Sequence, residues 1–151
     1  MKQYSFYDVD FLIDGSAVDG FPATNAIITA GRNAVQHMPV MDARGKAAVA
    51  TSADQSGHIA FPLLMTSDWN EVLYAKAQLT QATGLSGNKS LWVPMQLQIV
   101  DKMGDVLVEG TNGFIIKQPN ITRGISIGQN MWSIFVEVLN ITTGTYPSVG
   151  N

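Results

Sequence analysis

The sequence predicts an all-β domain with one helix laid across it. Three observations carry this. Apolar residues recur at period two in several separate segments. Gly, Asp and Pro clusters punctuate the chain between those segments. Only one stretch shows a long apolar stripe at helical spacing, against about seven candidate strands.

Taken in order, Tyr7, Val9, Phe11 and Ile13 alternate with Asp8 and Asp10 and give a first strand. Asp14-Gly15 and Asp19-Gly20 are turn signals. Residues 25–30 form a short apolar strand ending at Gly31. Residues 35–41, which include Pro39, read as a strand. Asp42-Ala43-Arg44-Gly45-Lys46 is a charged turn, and residues 47–53 return. Together 34–54 make a hairpin whose tip is more charged than its small-residue arms. Such a ribbon is marginal alone in water, so it is expected to pack against something. Ile59, Phe61, Leu63 and Met65 share one face of the next strand.

Asp68 with Glu71 three residues on is an acidic variant of the helix-start box. The helix spans about 67–83, with Trp69, Val72, Leu73 and Ala77 as its stripe and Gly84 and Gly87 at its end. In the strand over 92–100, Val93, Met95, Leu97 and Ile99 face inward, and Pro94 indicates an edge or a bulge near its start. After a turn at 101–105, the strand from Val106 to about Lys117 is interrupted at Gly110 and Gly113, where a bulge or bend is expected. Residues 120–128 are loop. Trp132, Ile134, Val136 and Val138 alternate in the last strand, with Phe135 and Leu139 adding apolar bulk to its second face, so it is expected to be buried on both sides. Trp69, Trp92 and Trp132 read as core. The chain shows no domain boundary, and 142–151 is expected to be a flexible tail.

The chain has 151 residues, enough for one domain with a sizeable core. Apolar residues make up 46% and charged residues 14%, against about 25% charged in a typical soluble domain. The deficit reads as surface buried between subunits. A net charge of −3 and a pI near 5.1 argue against tight electrostatic binding of nucleic acid. They are compatible with a wall that DNA slides past without sticking. The chain contains no cysteine, so it has no disulfide framework and no thiolate site. The first ten residues lack the apolar run of a signal peptide, and no stretch approaches the roughly 18 apolar residues of a membrane helix.

Catalytic constellations are not evident. The two histidines, His37 and His58, lie apart and read as polar residues on strand faces rather than metal ligands. Residues 84–90 superficially resemble a phosphate loop, but Asn88 separates Gly87 from Lys89 and the helix precedes the loop instead of following it. No Gly-x-Ser-x-Gly occurs. Most carboxylates sit at turns. No metal, cofactor or catalytic residue is expected.

The run Ala53-Asp54-Gln55-Ser56-Gly57-His58-Ile59, then 63–67 and 70–73, resembles a family of phage tail tube proteins, in which a similar run links the central hairpin to the helix. Gly31-Arg32-Asn33, Lys117-Gln118-Pro119 and the strand around Trp132 also match, so the resemblance covers roughly 4–140. Residues 122–130 depart from the pattern, being more apolar and glycine-rich. The resemblance implies a β-sandwich or partial barrel with a flanking helix, joined in hexameric rings around a continuous inner barrel. It implies rings stacked head to tail in a virion tail assembled in the host cytoplasm, with sheath, baseplate and tape-measure proteins as partners and DNA passing unbound through the lumen. Relatives form bacteriocin tubes and type VI secretion rings. On this reading Val40, Met41, Asp42, Ala43, Arg44, Gly45, Lys46, Ala47 and Ala48 form an inter-ring hairpin contact. There Arg44 and Lys46 would meet acids of a neighbour, a device for specificity more than affinity. Asp54, Asp101, Asp105 and Glu109 are candidate lumen acids. The alternatives are a baseplate hub, tail terminator or secretion ring of the same fold, and a carbohydrate-binding or hydrolytic β-sandwich.

Overall fold

Where alternation is regular, strands form and pair as the pattern requires. The computed structural model describes residues 4–24, 27–87, 93–101 and 105–142. Within them the strands are β1 (Val9–Ile13), β2 (Ser16–Ala17), β3 (Thr29–Arg32), β4 (His37–Met41), β5 (Ala47–Thr51), β6 (Gly57–Leu64), β7 (Met95–Asp101), β8 (Val106–Ile115) and β9 (Gln129–Ile141). A short 3-10 turn, Phe6–Asp8, precedes β1, and helix α1 (Trp69–Ser86) separates β6 from β7. Seven strands make one antiparallel sheet in the order β2-β1-β7-β8-β9-β6-β3, while β4 and β5 form a separate ribbon.

The large sheet rolls on itself. Phe11 on β1 and Phe61 on β6 have ring centroids 4.8 Å apart, although four strand-to-strand steps separate them in the order. A flat sheet would hold those strands about 19 Å apart. The inward residues Phe11, Ile13, Ile59, Phe61, Leu63, Leu97, Trp132, Ile134 and Val136 therefore meet in one core. Among the described residues the margins, β2 and β3, do not pair, so the result is a sandwich with one flanking helix and no closed barrel.

β8 carries the irregularity expected near its glycines. Against β7, its register shifts between the pairs Met95↔Gly113 and Leu97↔Gly110, and again beyond Ile99. Asn112 lies between them at φ 57°. Both glycines face the core at close approach. A Cβ at Gly110 would come within 2.8 Å of Val136, and one at Gly113 within 2.8 Å of Leu97. The same irregularity reaches β9, where Asn112 donates to Glu137 at 2.8 Å. Beyond that point the inward residue is Leu139, fully buried, and not Val138. Simple alternation had assigned these two the other way.

Further expectations are corrected. Tyr7 lies in the 3-10 turn and is 81% exposed. Met65 falls in the turn after β6 and is half-buried. Ser67 caps the helix instead of Asp68: its Oγ accepts from Trp69 N–H at 3.3 Å and donates to Asp19 O at 2.9 Å, while Asp68 makes no side-chain cap bond. On the helix stripe Leu73 is buried and Val72 exposed. Gly84 lies inside the helix, and Gly87 ends it in the left-handed region at φ 75°. Val93 is exposed. β7 is paired on both sides, so the proline before it marks the bulge near its start and not a sheet edge. Trp69 is only partly buried. Trp92 and residues 143–151 lie outside the described residues.

Candidate functional site

Two connecting parts of the chain, the β4–β5 ribbon and the 120–128 loop, expose several large apolar side chains each. Pairing places them at opposite ends of the sheet. β3 enters and β6 leaves the ribbon at the end where β9 finishes and β8 begins. The loop joins the end of β8 to the start of β9, at the end where α1 also begins.

The ribbon is built from its turn upward. Asp42 Oδ1 accepts the backbone N–H groups of Arg44 (2.8 Å) and Lys46 (2.9 Å), and Gly45 supplies the positive φ of 86° that the turn needs. Five register pairs, from His37↔Thr51 to Met41↔Ala47, zip the arms. At its root, Asn33 N–H donates to Ser56 O, the Asn33 side chain bonds Ser56 Oγ and His58 Nδ1, and Leu139 N–H donates to Gln55 O. His58 thus secures the root, and His37 bonds Thr51 Oγ1 across the arms. Hydrogen bonds from Ser56, its side chain first and its backbone N–H second, hold the Asp54 carboxyl below the usual aspartate value.

The arms touch no other element of the sheet closely enough to bury anything. Every residue of β4 and β5 is exposed, and so is every residue from Val40 to Ala48. Met38, Val40, Met41 and Val49 each expose about 60% or more of their surface. Among the described residues, therefore, the expected packing partner is not found. The ribbon is thus ordered and rooted, with apolar side chains exposed on both of its faces.

The four candidate lumen acids come to the same end as the ribbon. Asp101 pairs with Val9, Asp105 N–H bonds Asp101 Oδ1 at 3.0 Å across the β7–β8 turn, Glu109 pairs with Gln98 and Asn140, and Asp54 lies on the link from the ribbon to β6. Asp8 just before β1 and Asp10 near its start lie there too.

At the other end, sequence reasoning missed a buried polar latch. Asn70 Oδ1 accepts from Trp132 Nε1 (3.0 Å) and Asn130 Nδ2 (3.1 Å). Asn70 Nδ2 donates to Leu64 O at 2.8 Å and Ser67 O at 3.2 Å. Tyr74 packs edge-on against Trp132 and donates to Pro119 O at 2.9 Å. Burial pushes its phenol above the usual tyrosine value, against the charge of Arg123. A lone asparagine in a helix carries no pattern that would announce this. The loop beyond is held at both flanks, by Pro119 and by Met65 N–H to Gly128 O (3.0 Å), while Ile121, Ile125 and Ile127 between them are exposed.

Among the described residues no cluster of three or more His, Asp or Glu residues is placed to hold a metal, and no helix is long and apolar enough to cross a membrane. No buried side-chain polar atom among them lacks a partner.

The chain matches no protein-family model and no curated protein. Its fold does match solved structures over nearly the full length of both chains. One is the anti-feeding prophage cap, a tube-terminating cap, with TM-score 0.53 and 16% identity over 94% of this chain and 93% of that one. Another is the PVC sheath/tube terminator of an extracellular contractile injection system in its extended state. There the TM-score is 0.57 and the identity 10%, over 95% and 99% of the two chains. At such identities the likeness is one of fold.

Proposed function

We propose that this protein is a structural subunit of a contractile tail or injection particle, forming a ring that terminates the tube. The observation that carries this reading is the end-to-end fold match to a tube-terminating cap and a sheath/tube terminator. The tail-terminator alternative weighed from the sequence is thereby favoured over the repeating tube subunit. In this reading the protein does no catalysis, and its partners are copies of itself and the adjoining tube and sheath rings. Residues Val40–Ala48 are its main contact element. The acids Asp54, Asp101, Asp105 and Glu109 give the ring one acidic end, which repels a passing polyanion such as DNA instead of holding it.

A second reading, the repeating tube subunit in stacked hexameric rings, draws on one observation. Apolar side chains are exposed at both ends, on the ribbon and on the 120–128 loop. Two different contact surfaces at opposite ends generate an open, non-closing stack. Negative-stain microscopy of the purified protein separates the readings. Single rings or short stacks are expected for a terminator and long tubes for a tube subunit. Monodisperse monomers at high concentration would contradict both.

A further inference from the structure

We infer that the β4–β5 ribbon of one copy docks into the open seam of a second copy beside it, in the same ring. The inference rests on the ring reading above, and it names a contact within a ring where the sequence suggested one between rings.

The rolled sheet leaves a cleft of about 720 Å³ where it fails to close. Val9, Ile99, Leu107 and Val108 line one side, and Ile28 and Ala30 line the other, next to the β3 margin. The cleft is lined mainly by apolar residues, and its Val9 pairs with Asp101 at the end of the sheet that also carries Asp8 and Asp105. The ribbon has the complementary character. Met38, Val40, Met41 and Val49 are apolar and exposed along its arms, and Arg44 and Lys46 are exposed at its tip. Asp42, the one acid at that tip, is engaged by its own turn. Inserting the ribbon in the seam would cover apolar surface on both partners and bring two cations to an acidic end.

Position decides which neighbour is met. The ribbon and the cleft lie at the same end of the sheet. A copy stacked head to tail presents its opposite end, with its own cleft on the far side. The five-residue arms reach about 17 Å, whereas the thirteen-residue β9 is about 43 Å long. The ribbon is too short to run past a stacked subunit to its distant cleft. A side-by-side neighbour offers the cleft at the ribbon's own level.

The chain has no native cysteine, so cross-linking is unambiguous. Single-cysteine variants of the full chain, Val40→Cys and Ala30→Cys, are mixed in equal amounts under mild oxidation. Leu107→Cys is a second cleft probe and Ile125→Cys reports on the opposite end. Peptide mass mapping is expected to find disulfides from residue 40 to residues 30 and 107, and none from 40 to 125. A link from 40 to 125 without the cleft links would overturn the inference in favour of head-to-tail stacking, and so would the absence of any 40–30 or 40–107 link. Microscopy of the same samples keeps the two proposals apart. Rings without cleft links sink this contact alone, whereas cleft links without rings sink the ring reading and leave a ribbon-to-cleft contact between two copies outside any ring. As a separate measure, the double variant Arg44→Glu/Lys46→Glu is expected to weaken association about tenfold or more, with the difference shrinking at high salt. Unchanged association would count against the charge match.

Discussion

β4 and β6 lie close together in the chain and both are rich in apolar residues, yet they meet opposite surroundings. β6 pairs with β3 and β9, and its Ile59, Phe61 and Leu63 are fully buried. Among the described residues β4 pairs only with β5, and every residue of it is exposed. A two-stranded ribbon of this kind gains little in water, so its order comes from the Asp42 turn and the Asn33–Ser56–His58 root. The contrast teaches that similar apolar composition leads to burial only where a strand has neighbours on both sides, and that the ribbon's apolar side chains stay open to solvent.

That comparison can be broken at the core first. Trp132→Ala should cost about 3–5 kcal/mol, since it empties the centre of the core and deprives Asn70 of a donor. Urea unfolding should show the loss as a lower midpoint. Asn70→Ala should cost about 2–3 kcal/mol in the same assay, because it strands Trp132 Nε1 and Asn130 Nδ2 in buried surroundings. A loss below about 0.5 kcal/mol would remove the latch from the account.

Tyr74→Phe should cost about 1 kcal/mol through the lost bond to Pro119 O. Its pH dependence has a definite sign. Burial holds the folded-state value above that of an exposed tyrosine, so the stabilisation is present in full below the ordinary tyrosine value and is lost as pH rises through the folded one. Alkaline unfolding should therefore begin later in Tyr74→Phe relative to its own neutral-pH stability than in the parent.

Smallest in stability, and largest in assembly, is the ribbon. Val40→Ser/Met41→Ser should shift unfolding by no more than about 0.5 kcal/mol, as for other exposed positions. Sedimentation should nonetheless show it shifted to smaller species. A clear loss of protomer stability would mean that the ribbon belongs to the core after all.

Much of the sheet was legible because its physics is local. The alternation in β6 and around Trp132, the Asp14-Gly15 turn and the glycines of β8 each act over a few residues. The misreadings are where distant partners intervene. Leu139 replaces Val138 inside because the β8 irregularity at Asn112 carries across to β9. Ser67 caps the helix because Asp19, far away in sequence, fixes its hydroxyl. Val72 looks like core and is exposed, because the helix presents only part of its stripe to the sheet. The charged hairpin tip on small-residue arms was visible from composition. That four separated acids gather at its end was not, since strand order alone puts them there.

The central claim is that the ribbon serves contacts between copies and not the fold of one. Removing residues 40–48 and measuring sedimentation velocity beside circular dichroism tests it most directly. The account predicts a folded protein that keeps the strand signal of the seven-stranded sheet, loses only the ribbon's share, and sediments as a smaller species than the parent. A deletant that still assembles as the parent does, or one that no longer folds, would contradict it.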